Sequence, residues 1–177
     1  MRWSAFLLLF VIAVPAAAEP ADQRAFGDVV NSWDLRWQQA NELRRAELPV
    51  DRGADLRRAL KGASAFTDWE MDVLDVGVDK FGHAWIALRQ PGAGVVPFVF
   101  TNATSSVDDL LGQRLPLGSP IYAVARTLNR GDRVIASGVL FADADNGFLD
   151  FGQALKVSLA QRFQYPQFAV RYTAMRR

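Results

Sequence analysis

The chain has no cysteine and a single histidine. Without cysteine there are no disulfides, no thiolate nucleophile and no zinc site built on sulfur, so in an oxidising compartment stability must rest on packing. With His83 as the only imidazole, a histidine metal site would need carboxylates to complete it, and a serine hydrolase would have one candidate base. No Gly-x-Ser-x-Gly occurs, and Ser119 reads as a helix cap instead. An excess of one charge is also missing: the formal net charge is +1. After residue 18 no apolar run approaches the roughly 20 residues of a membrane-spanning helix. There is no internal repeat and no low-complexity tract.

What is there begins with an export signal. Arg2 precedes an apolar run from Ala5 to Val14, followed by Pro15 and the small residues Ala16, Ala17 and Ala18. This layout predicts a signal peptide over residues 1–18, cut before Glu19. No cysteine follows to take a lipid, so the expectation is a soluble periplasmic or secreted protein. Cleavage removes Arg2 and leaves 19 basic against 19 acidic residues, the full chain having 20 and 19. A neutral chain is a poor electrostatic footprint for non-specific nucleic-acid binding, because that binding is driven by basic side chains on phosphate.

Residues 19–62 read as a helical segment. Phe26, Val29, Val30, Trp33, Trp37 and Ala40 recur at helical spacing from Asp22 to about Glu47, with Pro49 expected to end the helix. A second short helix carries Leu56, Ala59 and Leu60 and stops at Gly62. The aromatic stripe either packs on the rest of the protein or serves a partner. Arg44, Arg45, Arg52, Arg57 and Arg58 are balanced by Glu42, Glu47, Asp51 and Asp55, the pattern of a solvated face.

Residues 63–177 read mainly as strands. In the first, Trp69, Met71 and Val73 alternate with Asp68, Glu70 and Asp72, then the phase slips so that Leu74, Val76 and Val78 carry the apolar set; a slip of one predicts a bulge. The second strand, HAWIALR, puts Ala84, Ile86 and Leu88 opposite His83, Trp85, Ala87 and Arg89. Pro97 in VVPFVFT predicts an edge or irregular third strand. One helical turn is expected near Val107 to Leu111. Ser119, Pro120 and Gly131 then punctuate a helix whose face is Ile121, Val124, Ala125 and Leu128. The following strand has Val134, Ala136, Gly138 and Leu140 on one face and Arg133, Ile135, Ser137, Val139 and Phe141 on the other. DADNG is a hairpin signal, since its glycine at position five and the lack of a glutamate at position twelve do not suit a calcium loop. A short strand is expected within Phe148 to Leu159. Phe168, Val170 and Tyr172 mark the last strand.

Three strands, a helix and two strands, with a bulged first strand, predict a mainly β protein. The expected architecture is a five-stranded Greek-key barrel with an internal helix between strands 3 and 4, preceded by two N-terminal helices. From residue 66 on, and most specifically in LGSPIYAVARTLNRGDRVIASG and YPQFAVRYTAM, the chain resembles the oligonucleotide/oligosaccharide-binding fold, the OB-fold. These segments, with the NEL of Asn41 to Leu43, also resemble poorly characterised exported bacterial proteins that join N-terminal helices to such a barrel. The resemblance implies a fold, and in that fold the helix plugs the barrel. It supplies no catalytic residue to carry over.

OB-folds bind ligands across strands 2 and 3 with exposed aromatics. The candidate ligand residues are therefore His83, Trp85 and Arg89, with Phe98 and Phe100, or else Val99 and Thr101, beside them. Alternatively Trp85 lies beneath the N-terminal helix and the face is closed. The leading expectation is an exported, non-enzymatic binding or interaction module with no cofactor, its partner an unidentified protein or small ligand. A second reading, a cation-dependent hydrolase resembling a nuclease, would use Asp68, Glu70 and Asp72 as oxygen ligands; the bland version is a solvated strand face. A nucleic-acid-binding barrel is the third.

Overall fold

The computed structural model describes residues 19–79, 81–92, 96–103, 112–144, 146–150 and 158–177. The signal peptide, the turn expected near 107–111 and residues 151–157 of the expected strand before Leu159 lie outside them. Among the described residues no helix is long and apolar enough to cross a membrane.

Five strands close into a barrel: β1 (Ala65–Val78), β2 (Ala84–Arg89), β3 (Val99–Thr101), β4 (Arg133–Leu140) and β7 (Gln167–Arg176), in the order β1-β2-β3-β7-β4. β5 (Ala142–Asp143) and β6 (Gly147–Phe148) form a separate small hairpin. Neighbouring barrel strands are antiparallel except β3 and β7, which run parallel. The helices are α1 (Ala21–Gln39), α2 (Glu42–Arg45), α3 (Leu48–Ala59), α4 (Pro120–Ala125) and α5 (Leu159–Gln164).

The long first strand serves two neighbours. Its first half pairs with β4 and its second with β2. The ladder to β2 shifts between Val73 and Asp75, where the sequence phase slips. A second irregularity, between Phe66 and Trp69, faces β4; there Asp68 takes φ of 56° and its backbone N–H donates to the Ser137 hydroxyl at 2.9 Å. Bulges bend a strand and raise its twist, which lets one strand turn the corner of a small barrel. Phe66, Trp69, Met71 and Val73 are buried, whereas Leu74 and Val76 are half-buried and Val78 is exposed.

Three sequence expectations change. Pro97 precedes β3, so its missing N–H costs no ladder bond and β3 is paired on both sides. Pro49 does not end a helix; it stands in the first turn of α3, where an N–H has no intrahelical partner to lose. The break comes earlier, at extended Ala40, and Asn41 caps α2 by accepting from the Arg44 N–H at 3.0 Å. α4 begins as expected, with the Ser119 hydroxyl accepting from the Tyr122 N–H at 3.2 Å, but runs six residues, ending before Arg126. Ala125 and Leu128 are buried against the core, and α4 packs on β7 and β2.

The N-terminal helix enters the barrel core. Phe26 of α1 has no exposed surface, and its ring centroid lies 5.6 Å from Trp69, 5.1 Å from Phe98, 5.9 Å from Phe100 and 5.3 Å from Phe168. These rings belong to β1, β7 and the β3 segment, and most meet edge to face, the arrangement favoured by aromatic quadrupoles. Buried Gln23 fastens the same helix turn: its amide donates to the Glu70 carbonyl at 2.6 Å and accepts from the Glu70 N–H at 3.0 Å. Further along α1, Trp33 and Trp37 form a second cluster with Phe163 of α5, the Trp37 and Phe163 rings stacked at 4.6 Å.

Candidate functional site

The outer face of β2 and β3 carries a groove. Trp85, half-buried, pairs with Gly77 across the β1–β2 ladder. Its indole lies directly over that glycine: a Cβ there would come within 2.6 Å of the ring. Beside it lies a cleft of about 390 Å³. Leu74, Ala87, Val99 and Thr101 supply its apolar and small side chains, and Asp75, Arg130 and Gln167 its polar groups. Arg130 and Gln167 make no side-chain hydrogen bond or ion pair among the described residues. The pair Val99↔Gln167 is a product of the parallel β3–β7 ladder, and Arg130 comes from the turn before β4.

Trp85 also lines a smaller pocket of about 180 Å³, together with Asp79, His83, Asn102 and Arg114 among others. Asp79 organises the β1–β2 turn. Its Oδ1 accepts from the Phe81 and His83 N–H groups at 2.8 and 2.9 Å, and its Oδ2 meets His83 Nδ1 at 3.3 Å. Arg114 Nε stands 3.8 Å from the same oxygen. Partial desolvation pushes the Asp79 carboxyl up, but the two backbone donors and the His83 ring outweigh it and hold the group below its ordinary value. Asn102 is spent on structure: it accepts from Ile86 N–H at 2.6 Å and donates to the Ala84 and Gln113 carbonyls.

The sequence candidates therefore separate. Trp85 lines both cavities, and His83 only the smaller. Arg89 is exposed at the end of β2 and is not part of the groove wall. Phe98 and Phe100 are fully buried, turned into the core by alternation, so Val99 and Thr101 are the pair beside Trp85. Trp33 and Trp37 pack on α5 instead of covering Trp85. Arg130 and Gln167 carried no distinguishing signal in the sequence, and Leu74 stood out there only through the phase slip of β1.

The first-strand carboxylates each face an arginine, from the adjacent β4 or from β7 one strand beyond it. Arg133 of β4 binds both Glu70 and Asp72, the latter at 2.7 Å, and Arg176 of β7 binds Asp68 at 2.6 Å. Hydrogen bonding to Glu70, opposed by desolvation and helped by Asp72, raises the Arg133 pKa further. Among the described residues no group of three or more histidine, aspartate or glutamate side chains is arranged to hold a metal ion. Neighbouring arginines make this face a ladder of ion pairs, a cross-strand pattern that neutralises exposed strand charge.

No protein-family model, no curated protein and no solved structure matches this chain.

Proposed function

We propose that the mature chain is an exported, non-enzymatic binding module of the OB-fold kind, which takes an uncharged polar ligand in the groove beside Trp85. Export rests on the leader-like residues 1–18, and the mass of the purified periplasmic chain tests it against cleavage before Glu19. The OB reading is supported by a closed five-strand barrel with a helix between its third and fourth barrel strands.

The observation that carries the ligand face is Trp85, half-buried on bare backbone at Gly77 with an open cleft along its edge. An indole fixed in this way stacks on the apolar face of a ring without losing further side-chain freedom. Asp75, Arg130 and Gln167 bring planar donors and acceptors of both signs to one cleft, suited to hydroxyl and amide groups. With one acidic and one basic side chain the groove offers no field for a polyphosphate backbone.

Titration of neutral oligosaccharides against Trp fluorescence tests the reading. The expected result is saturable quenching that Trp85→Ala abolishes while the thermal midpoint moves little. Salt-dependent retention on single-stranded DNA, with no response to neutral glycans, would replace this ligand class with nucleic acid.

A further inference from the structure

A second cleft lies in the helical layer, away from the barrel groove. It has a volume of about 540 Å³, within the range of small-ligand sites, where the end of α1 meets α2 and the start of α3. Trp33 and Leu48 give it an apolar lining, and Arg36, Asn41, Arg44 and Asp51 a polar one. The Trp33 indole is held in place, its Nε1 donating to Asp55 Oδ2 at 3.1 Å. Arg36 lies over the same ring, its guanidinium carbon 4.4 Å from the centroid.

The arginines of this layer divide by what they bind. Arg52 is buried against Asp150, Arg58 pairs with Asp55, Arg57 donates to the Asp143 carbonyl and Arg45 to the Trp37 carbonyl. Two line the cleft. Arg44 is exposed, and its guanidinium makes no hydrogen bond or ion pair among the described residues. Arg36 reaches its nearest carboxylate, Asp55, at 3.9 Å, beyond hydrogen-bond distance. Against these two stands one lining carboxylate, Asp51, which leaves one net positive charge.

We propose that this cleft binds an amphiphilic monoanion, its carboxylate head on Arg36 and Arg44 and its apolar body against Trp33 and Leu48. A planar guanidinium pairs bidentately with carboxylate, and the single excess charge favours a head group of charge minus one. Binding is noncovalent and leaves the Trp85 groove untouched, so the two sites stand or fall separately.

The test follows the Trp33 indole N–H in ¹H–¹⁵N spectra, assigned with Trp33→Phe, during titration with sodium octanoate. Octanoate is expected to shift that resonance saturably, with octylammonium inactive and Arg44→Gln weakening binding by about tenfold. The double variant Arg36→Gln/Arg44→Gln should remove it, with the remaining resonances in place. Equal shifts from octylammonium, unchanged affinity in Arg44→Gln, or no saturable response to octanoate would each overturn the proposal.

Discussion

At the scale of single residues, Asp79 shows how a turn residue acquires a pH dependence. Its carboxylate ties down two backbone N–H groups and the only imidazole. Because its folded pKa lies below the unfolded value of about 3.9, the unfolded state binds protons first as the solution is acidified. The stabilisation is fully present above the unfolded pKa and is lost as pH falls through the folded one. Urea unfolding between pH 7 and pH 3 should therefore show a shallower acid slope in Asp79→Asn than in the parent chain. Identical slopes would mean that the turn does not feel this carboxylate. The sequence singled out His83 as a lone histidine, but its anchoring by a carboxylate four residues back depends on the turn between them.

At the scale of elements, a buried ionic junction fixes the helices to the β5–β6 hairpin. Arg52 of α3 is 3% exposed, Asp150 has no exposed surface, and the two lie 3.4 Å apart. Arg162 of α5 reaches the same oxygen at 3.3 Å and the Asn146 side chain at 2.9 Å, while Arg52 also donates to the Arg162 carbonyl and covers the Phe163 ring. Burial lowers the Arg52 pKa to about 10 despite Asp150, so it remains charged at neutral pH. Backbone contact completes the joint: a Cβ on Gly147 would lie 2.5 Å from the Gly53 carbonyl oxygen. Removing one partner of a buried pair strands a charge, so Asp150→Ala should cost about 3–5 kcal/mol in denaturant unfolding. A loss under 1 kcal/mol would show that water reaches the arginines. Arg52 looked like one charge among many in a balanced run, because only the fold brings residue 150 to it.

At the scale of the whole molecule, the helices and the barrel share one core. Phe26, Val30, Leu56 and Leu60 belong to the same buried cluster as Trp69, Phe100 and Val170. Phe26→Ala should accordingly destabilise the entire chain by about 3–5 kcal/mol, the range for emptying a buried aromatic site. Loss of near-ultraviolet ellipticity in a single transition with the helical signal would confirm that the two parts unfold together. Separate transitions would contradict it.

The sequence by itself determined the local grammar of this protein. Alternation sorted the residues of β2, β4 and β7 into two faces, the phase slip located the bulge at Val73, and Ser119 capped its helix, because strand pleat, bulge and cap are set by near neighbours. Position along the barrel was not local. Pro49 was read as a helix end and Pro97 as the mark of an edge or irregular strand, yet each sits where no N–H is required, a matter of register that one residue cannot declare. Phe98 and Phe100 were placed beside Trp85 on equal terms with Val99 and Thr101, since alternation names two faces without saying which is inside. Closure of the sheet decided that, burying the phenylalanines around Phe26 and turning Val99, Gln167 and Arg130 toward Trp85. Closure also set β4 and β7 arginines against the β1 carboxylates, so an acidic strand in the sequence became an ion-paired face in the fold.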